Sequence, residues 1–270
     1  MKYELFISDY DGTLGAAPKN EIDEQTLFAI KKFTDKGGKF VVCSGRETGS
    51  IMRILKKYNL NGIVVSFQGA RITDIESGKS IVDGGLDLDT ALEVLSLVKD
   101  TGLTPIAYGD SEIYVPEINE RVLYYKNAVG LKCIQTDVEE YLKERKNGIF
   151  KICWVGDDKI VNQTADKLNA IFKSEKVKFN SGAKGLLEAI NPAFGKGEAV
   201  KFLSKYYGVP FNRIITVGDS TNDIDLVKGE WFGLAVGDGR DELKAVAKEV
   251  TVPFENKPVK YLLEKYCLND

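Results

Sequence analysis

The sequence contains no histidine. That absence removes Ser-His-Asp and Cys-His catalysis, phosphohistidine intermediates and the commonest side-chain ligand of zinc. Polar chemistry must therefore run on carboxylates, lysine, arginine, hydroxyls or a hard cation, which points towards oxygen-ligated magnesium. Cysteine is scarce: Cys43, Cys133, Cys153 and Cys267 lie far apart and form no Cys-x-x-Cys pair, against a zinc site or a disulfide framework. None has an arginine six positions on, against a cysteine-phosphatase loop, so all four read as small buried apolar residues. No uncharged apolar run reaches the ~18 residues of a membrane span. The opening Lys2-Tyr3-Glu4-Leu5-Phe6-Ile7 is too short and too charged for a secretory signal, so a cytoplasmic location is expected. An excess of either charge is missing too. The net charge of −3 offers no basic face for nucleic acid, and Lys143-Glu144-Arg145-Lys146 reads as a solvated helix face.

What is present is a chain of 270 residues, 43% hydrophobic and 29% charged, enough for a sizeable core in one large domain or two smaller ones. Tyr3 to Ser8 reads as a short buried strand. Asp23 caps a helix through Leu27, Ile30 and Phe33 that Gly37-Gly38 ends. A strand at 39–43, a helix at 47–58 and a strand at 62–67 follow, and this alternation predicts a parallel sheet with helices on both faces. Then the pattern changes. Strands at 71–75 and 80–82 flank the turn Glu76-Ser77-Gly78-Lys79. Strands at 105–108, 112–115, 149–155, 176–180 and 186–190, with helices near 89–99, 119–128, 137–145 and 159–174, suggest an antiparallel sheet covered on one face. Alternation returns from 198 to 252. One α/β core of residues 1–82 and 185–270, split by a domain-sized insertion at 83–184, accounts for this order.

Chemistry-bearing residues gather at strand ends. Asp9 and Asp11 follow the first strand, two apart, so that both carboxyls can face one pocket; Gly12 permits a tight backbone and Thr13 can bond the turn or a ligand. Phe40 to Cys43 leads into Ser44-Gly45-Arg46, a hydroxyl and backbone amides ahead of a helix, which favours an anion such as phosphate. Ile214 to Val217 leads into Gly218-Asp219-Ser220-Thr221-Asn222-Asp223, whose two carboxylates and amide suit a hard cation. Gly195-Lys196-Gly197 sets a lysine between flexible residues at a helix start. Each piece alone could be a capping turn or ordinary loop. All of them, in this order on successive strand ends, point to a phosphate site.

Together these residues resemble the haloacid dehalogenase-like phosphatase superfamily, in particular its Cof-type branch with a large α/β cap between the second and third motifs. The resemblance rests on Asp9-Tyr10-Asp11-Gly12-Thr13-Leu14 and Gly218 to Asp223, with Ser44-Gly45-Arg46 and Lys196-Gly197 in support. It implies a Rossmann-like doubly wound parallel core carrying an inserted α+β cap domain that reads the leaving group. It also implies that Asp9 attacks phosphorus, that Asp11 is the general acid and then base, and that Ser44, Gly45, Lys196 and Asn222 hold phosphoryl oxygens. Mg2+ would be bound by Asp9, by Asp11 through its backbone carbonyl, by Asp219 and by Asp223, with Asn222 the alternative to Asp223. The second aspartate separates the chain from dehalogenases. Two positions depart from the family's frequent pattern: Gln68-Gly69-Ala70 stands where Asn-Gly-Ala is common, and Gly237-Asp238-Gly239 where an asparagine is frequent.

The expected function is hydrolysis of a small organic phosphate, a sugar phosphate or related metabolite, by a monomer or small homo-oligomer with no nucleic-acid or membrane partner. A sugar phosphomutase using the same phosphoenzyme and a non-catalytic phosphosugar-binding module are the alternatives. Tyr108, Tyr114, Arg121 and Tyr124 form a pool from which the insertion could draw substrate contacts.

Overall fold

The structure, a computed structural model, describes residues 2–16, 19–145, 149–172, 176–181 and 184–269. Lys146 of the basic run, and residues 173–174 of the helix expected at 159–174, lie outside the described residues. The chain divides into two units, one of Met1–Arg46, Ile51–Ile81 and Phe194–Asp270, the other of Glu47–Ser50 and Val82–Ala193.

Strand β1 (Leu5–Ser8) is buried along its whole length, as an apolar run covered on both faces should be. Helix α1 (Glu24–Asp35) follows, capped by Asp23, whose carboxylate accepts from the Gln25 and Thr26 amides at 3.1 and 3.0 Å. The turn at Gly37, with φ of 91°, ends it. Next come β2 (Lys39–Cys43), α2 (Thr48–Lys57), β3 (Ile63–Ser66), β4 (Arg71–Asp74) and β5 (Ser80–Asp83).

The second unit begins with α3 (Leu88–Val98), β6 (Thr104–Tyr108), β7 (Glu112–Val115) and α4 (Glu120–Val129). It continues with β8 (Lys132–Gln135), α5 (Val138–Glu144), β9 (Ile152–Val155), α6 (Asp158–Phe172), β10 (Lys178–Asn180) and β11 (Leu186–Ile190). Its six-stranded sheet runs β10-β11-β9-β6-β7-β8. This sheet corrects three expectations. It is mixed, because β8, unanticipated in the sequence, pairs parallel with β7 after the α4 crossover that a parallel pair requires. Both faces carry helix: Val94, Leu142 and Leu168 of α3, α5 and α6 join Trp154 and Leu187 in one core, while Tyr125 of α4 meets Tyr108 and Cys153 on the other face. Finally, β11 pairs with β9 and β10, so the unit runs to Ala193, past residue 184.

The chain returns to the first unit with α7 (Lys196–Tyr207), β12 (Ile214–Gly218), α8 (Ile224–Val227) and β13 (Phe232–Ala235). After these come α9 (Asp241–Lys244), β14 (Glu249–Val250) and α10 (Pro258–Leu262), which continues helically to Leu268. The eight-stranded sheet has the order β14-β13-β12-β1-β2-β3-β4-β5. Strands from β14 to β3 are parallel, whereas β4 is antiparallel to β3. α1 and the C-terminal helix cover one face, bringing Ile30, Phe33, Leu262 and Leu263 onto Phe6, Phe40 and Val217. Phe6 stacks on Phe40 at 5.6 Å and meets Phe33 edge-on at 6.4 Å. Each such buried ring contributes about 1.5–3 kcal/mol. The C-terminal helix lies beyond the alternation expected to end at Val252 and was not anticipated in the sequence. Of the four cysteines, Cys133 is only half-buried, against the expectation that all would be buried.

Candidate active site

β1 sits where the strand order reverses: the chain leaves it for β2 and β3 on one side and returns to β12 and β13 on the other. A crevice opens outside the carboxyl ends of strands at such a point. Asp9 follows β1 directly, Ser44 follows β2, and Asp219 follows β12. Register brings them together, since Ser8 lies opposite Val217 and Val42, and the Asp9 amide donates to the Val217 carbonyl at 2.9 Å.

Lys196, the first residue of α7, is 2% exposed and bridges two carboxylates, Asp9 Oδ1 at 2.5 Å and Asp223 Oδ1 at 2.6 Å. The other oxygen of Asp223 accepts from the Asp219 and Ser220 amides, both at 3.1 Å, which folds residues 219–223 into a capped turn. Thr13 donates to Asp219 Oδ1 at 3.2 Å. Gly12 has φ of 79°, and a Cβ there would lie 2.5 Å from Asp219 Oδ2, so only glycine lets the two loops approach.

Ligand atoms of Asp9, Asp219 and Asp223 lie within 4.8 Å of one another. One ammonium does not neutralise three such groups. Burial and then Asp223 push the Asp9 carboxyl well above the usual range, against the pull of Lys196. Burial and then Asp223 likewise push Asp219 up to about 6. Burial disfavours the Lys196 ammonium, but Asp223 and Asp9 outweigh it and raise its pKa. The cluster thus holds excess negative charge on hard oxygen donors. That donor set fits a divalent cation such as Mg2+.

Asp11 is not in this group. Its half-exposed carboxylate takes two bonds from Arg46, Nε to Oδ2 at 2.7 Å and Nη2 to Oδ1 at 2.5 Å. The Arg46 guanidinium also lies 4.8 Å from the centre of the buried Tyr10 ring. Ser44 is buried, its hydroxyl accepting from the Arg46 amide at 3.2 Å, and the turn directs the Ser44–Arg46 backbone towards α2. Gly45 leaves room for Gln68, whose Nε2 would lie 2.4 Å from a Cβ there. Asn222 is exposed and reaches Gln68 Oε1 at 3.4 Å. Asp9, Asp219, Asp223 and Lys196 therefore converge, whereas Asp11 and Asn222 face other partners. Arg46 has no role that its place in Ser44-Gly45-Arg46 predicts. Its fork onto Asp11 joins residues 35 apart and leaves no local signal.

A model of the haloacid dehalogenase-like hydrolase family matches residues 6–263. The chain belongs to that family. It is similar to the Bacillus subtilis 5-amino-6-(5-phospho-D-ribitylamino)uracil phosphatase, 25% identical over 268 residues that cover 97% of each chain. It is also similar to the HMP-PP phosphatase of Klebsiella pneumoniae, 23% identical over 242 residues that cover 90% of this chain and 87% of that one. The fold matches a Bacteroides thetaiotaomicron haloacid dehalogenase-like hydrolase with a TM-score of 0.86, at 21% identity and covering 98% and 99% of the two chains. As a haloacid dehalogenase-like hydrolase with relatives of this kind, the protein is an enzyme of the phosphatase type. No helix among the described residues is long and apolar enough to cross a membrane.

Proposed function

We propose that this enzyme is a magnesium-dependent phosphomonoesterase, acting on a small organic phosphate such as a sugar phosphate through an aspartyl-phosphate at Asp9. The observation that carries the reading is the buried Asp9 carboxylate, at the switch point of the sheet, held by Lys196 within a cluster of three aspartates. One Asp9 oxygen attacks phosphorus while the bond from phosphorus to the ester oxygen breaks, and that oxygen takes a proton from Asp11. Water then attacks the phosphorus of the acyl phosphate and gives its proton to Asp11, the bond to Asp9 breaks, and inorganic phosphate leaves. Ser44 and the Gly45 amide donate to the phosphoryl oxygens, and Lys196 offsets their charge. Asp223 holds Lys196 and the 219 loop in place. Asp9, Asp219 and Asp223, with the Asp11 carbonyl, would hold Mg2+, which supplies electrostatic stabilisation of the phosphoryl group. Asp11 has to part from Arg46 to carry a proton, so the fork marks its resting position.

The two relatives named for a phosphoribityl compound and for HMP-PP support a small metabolite as substrate. Catalysis is assigned to the first unit, where all of these residues lie. The test is phosphate release from a panel of phosphorylated metabolites, with magnesium and with chelator. Asp9→Asn should abolish turnover. Asp11→Asn should slow alkyl phosphates by ~10²–10⁴-fold and p-nitrophenyl phosphate much less, since nitrophenolate leaves without a proton. Wild-type turnover in Asp9→Asn would end the proposal.

A further inference from the structure

Between β3 and β4 the backbone does something unusual. Phe67 and Gln68 both have positive φ, 50° and 58°, and Gly69 follows at 104°. Two consecutive non-glycine residues in the left-handed region persist only where the surroundings over-determine them, and such strain gathers at functional sites. Here the surroundings are the candidate active site itself. The Phe67 amide donates to the Arg46 carbonyl at 2.9 Å and the Gln68 amide to the Ser44 carbonyl at 3.1 Å. Gly69 lies so close to Gly195 that a Cβ would stand 2.3 Å from its carbonyl oxygen. This corner thus ties the end of β2 to the start of α7.

Packing explains Phe67, whose ring is buried. It does not explain Gln68, which is polar and only half-buried. Its carboxamide lies over Gly45 on one side and accepts from Asn222 on the other, through a long bond of 3.4 Å. It therefore spans the Ser44–Arg46 and Asp219–Asp223 loops. Among the described residues its NH2 group has no acceptor, so two donors and a weakly used acceptor are on offer. The neighbouring cations are already committed, Arg46 to Asp11 and Lys196 to Asp9 and Asp223. Recognition at this corner is left to neutral hydrogen bonding, and a hydroxyl, which both donates and accepts, suits it.

We infer that Gln68, with Asn222, is a specificity residue that hydrogen-bonds a hydroxyl on the organic part of the substrate, beside the phosphate. The inference rests on the phosphatase reading above and narrows its substrate to a hydroxylated, uncharged leaving group. A site built to bond a hydroxyl discriminates against the analogue without one.

The test compares glycerol phosphate with propyl phosphate, with p-nitrophenyl phosphate as the reference for phosphatase activity. Wild type should favour glycerol phosphate in kcat/KM. Gln68→Gly and Gln68→Asn should each lower that ratio by ~3–10-fold, the worth of one hydrogen bond. Melting separates this from a structural role: glycine and asparagine both accept positive φ, so Tm should hold or rise by a few degrees while discrimination falls. No wild-type preference for glycerol phosphate, or an unchanged ratio in both variants, overturns the inference and leaves the phosphatase intact. A wild type that hydrolyses none of the three esters sinks both.

Discussion

Replacing Lys196 by methionine keeps the length of the side chain and deletes its charge. The bridged oxygens of Asp9 and Asp223 are 2.5 and 2.6 Å from Nζ, and the three side chains are 1%, 6% and 0% exposed. Removing one partner of a buried ion pair strands the other and costs about 3–5 kcal/mol. At about 2–4 °C per kcal/mol the variant should melt ~6–20 °C below wild type. An internal control lies in the same helix. Lys201 pairs with Glu198 at 2.6 Å, but the two side chains are 56% and 53% exposed. An exposed pair of this kind contributes little, so Lys201→Met should lose no more than ~4 °C. Melting is followed by differential scanning fluorimetry in chelator. Added magnesium should then restore part of the loss in Lys196→Met, because a cation that binds only the folded protein raises its stability by mass action. If Lys196→Met melted within 2 °C of Lys201→Met, the reasoning about burial and charge at this site would be refuted.

Gly12→Ala should raise the magnesium concentration needed for half-maximal activity, because its methyl would collide with Asp219 at 2.5 Å; an unchanged magnesium titration counts against this packing. Arg46→Lys keeps the charge but loosens the fork that Asp11 must leave to carry a proton, so alkyl phosphate turnover should hold or rise by up to ~10-fold, about the worth of one hydrogen bond, while p-nitrophenyl phosphate turnover changes less, in steady-state assays; a fall confined to alkyl phosphates counts against the fork as a resting position. Asp23→Ala should cost about 1 kcal/mol at neutral pH by urea unfolding, through loss of the α1 cap. Burial tends to raise the Asp23 pKa, but bonds from Thr26 and Lys257 outweigh it and hold it below the usual 3.8. A depressed folded pKa means the stabilisation is present above the ordinary value and fades as pH falls through the folded one. The gap between wild type and Asp23→Ala should therefore close in acid; a gap that widened there would reverse the sign.

Local patterns carried a great deal. Short, mainly apolar runs ending in polar clusters located β1, β2 and β12, because a strand buried on both faces carries few polar side chains. The cap Asp23 and the Gly37 turn set the limits of α1 for equally local reasons. The family was legible in the motifs at residues 9–14 and 218–223, and the matching of residues 6–263 to the family model agrees. β8 was not legible, since Lys132-Cys133-Ile134-Gln135 is a short edge strand with little alternation, made a strand by its pairing with β7. The strand expected at 186–190 does join the antiparallel part of the second sheet, and only the boundary drawn at 184 left it out.

By itself the sequence determined which residues could do chemistry and at which strand ends they stand: no histidine, four aspartates, one lysine opening a helix. Only the tertiary structure decided how they divide. It gathered Asp9, Asp219, Asp223 and Lys196 into one cluster, buried except at Asp219, and turned Asp11 towards Arg46. It also laid Gln68 between Gly45 and Asn222. The side-chain bonds of Lys196 to Asp223 and Asp9, of Arg46 to Asp11 and of Asn222 to Gln68 join residues 27 to 187 positions apart. They are set by strand register and loop packing, which the sum of many distant contacts fixes and no short stretch of sequence encodes.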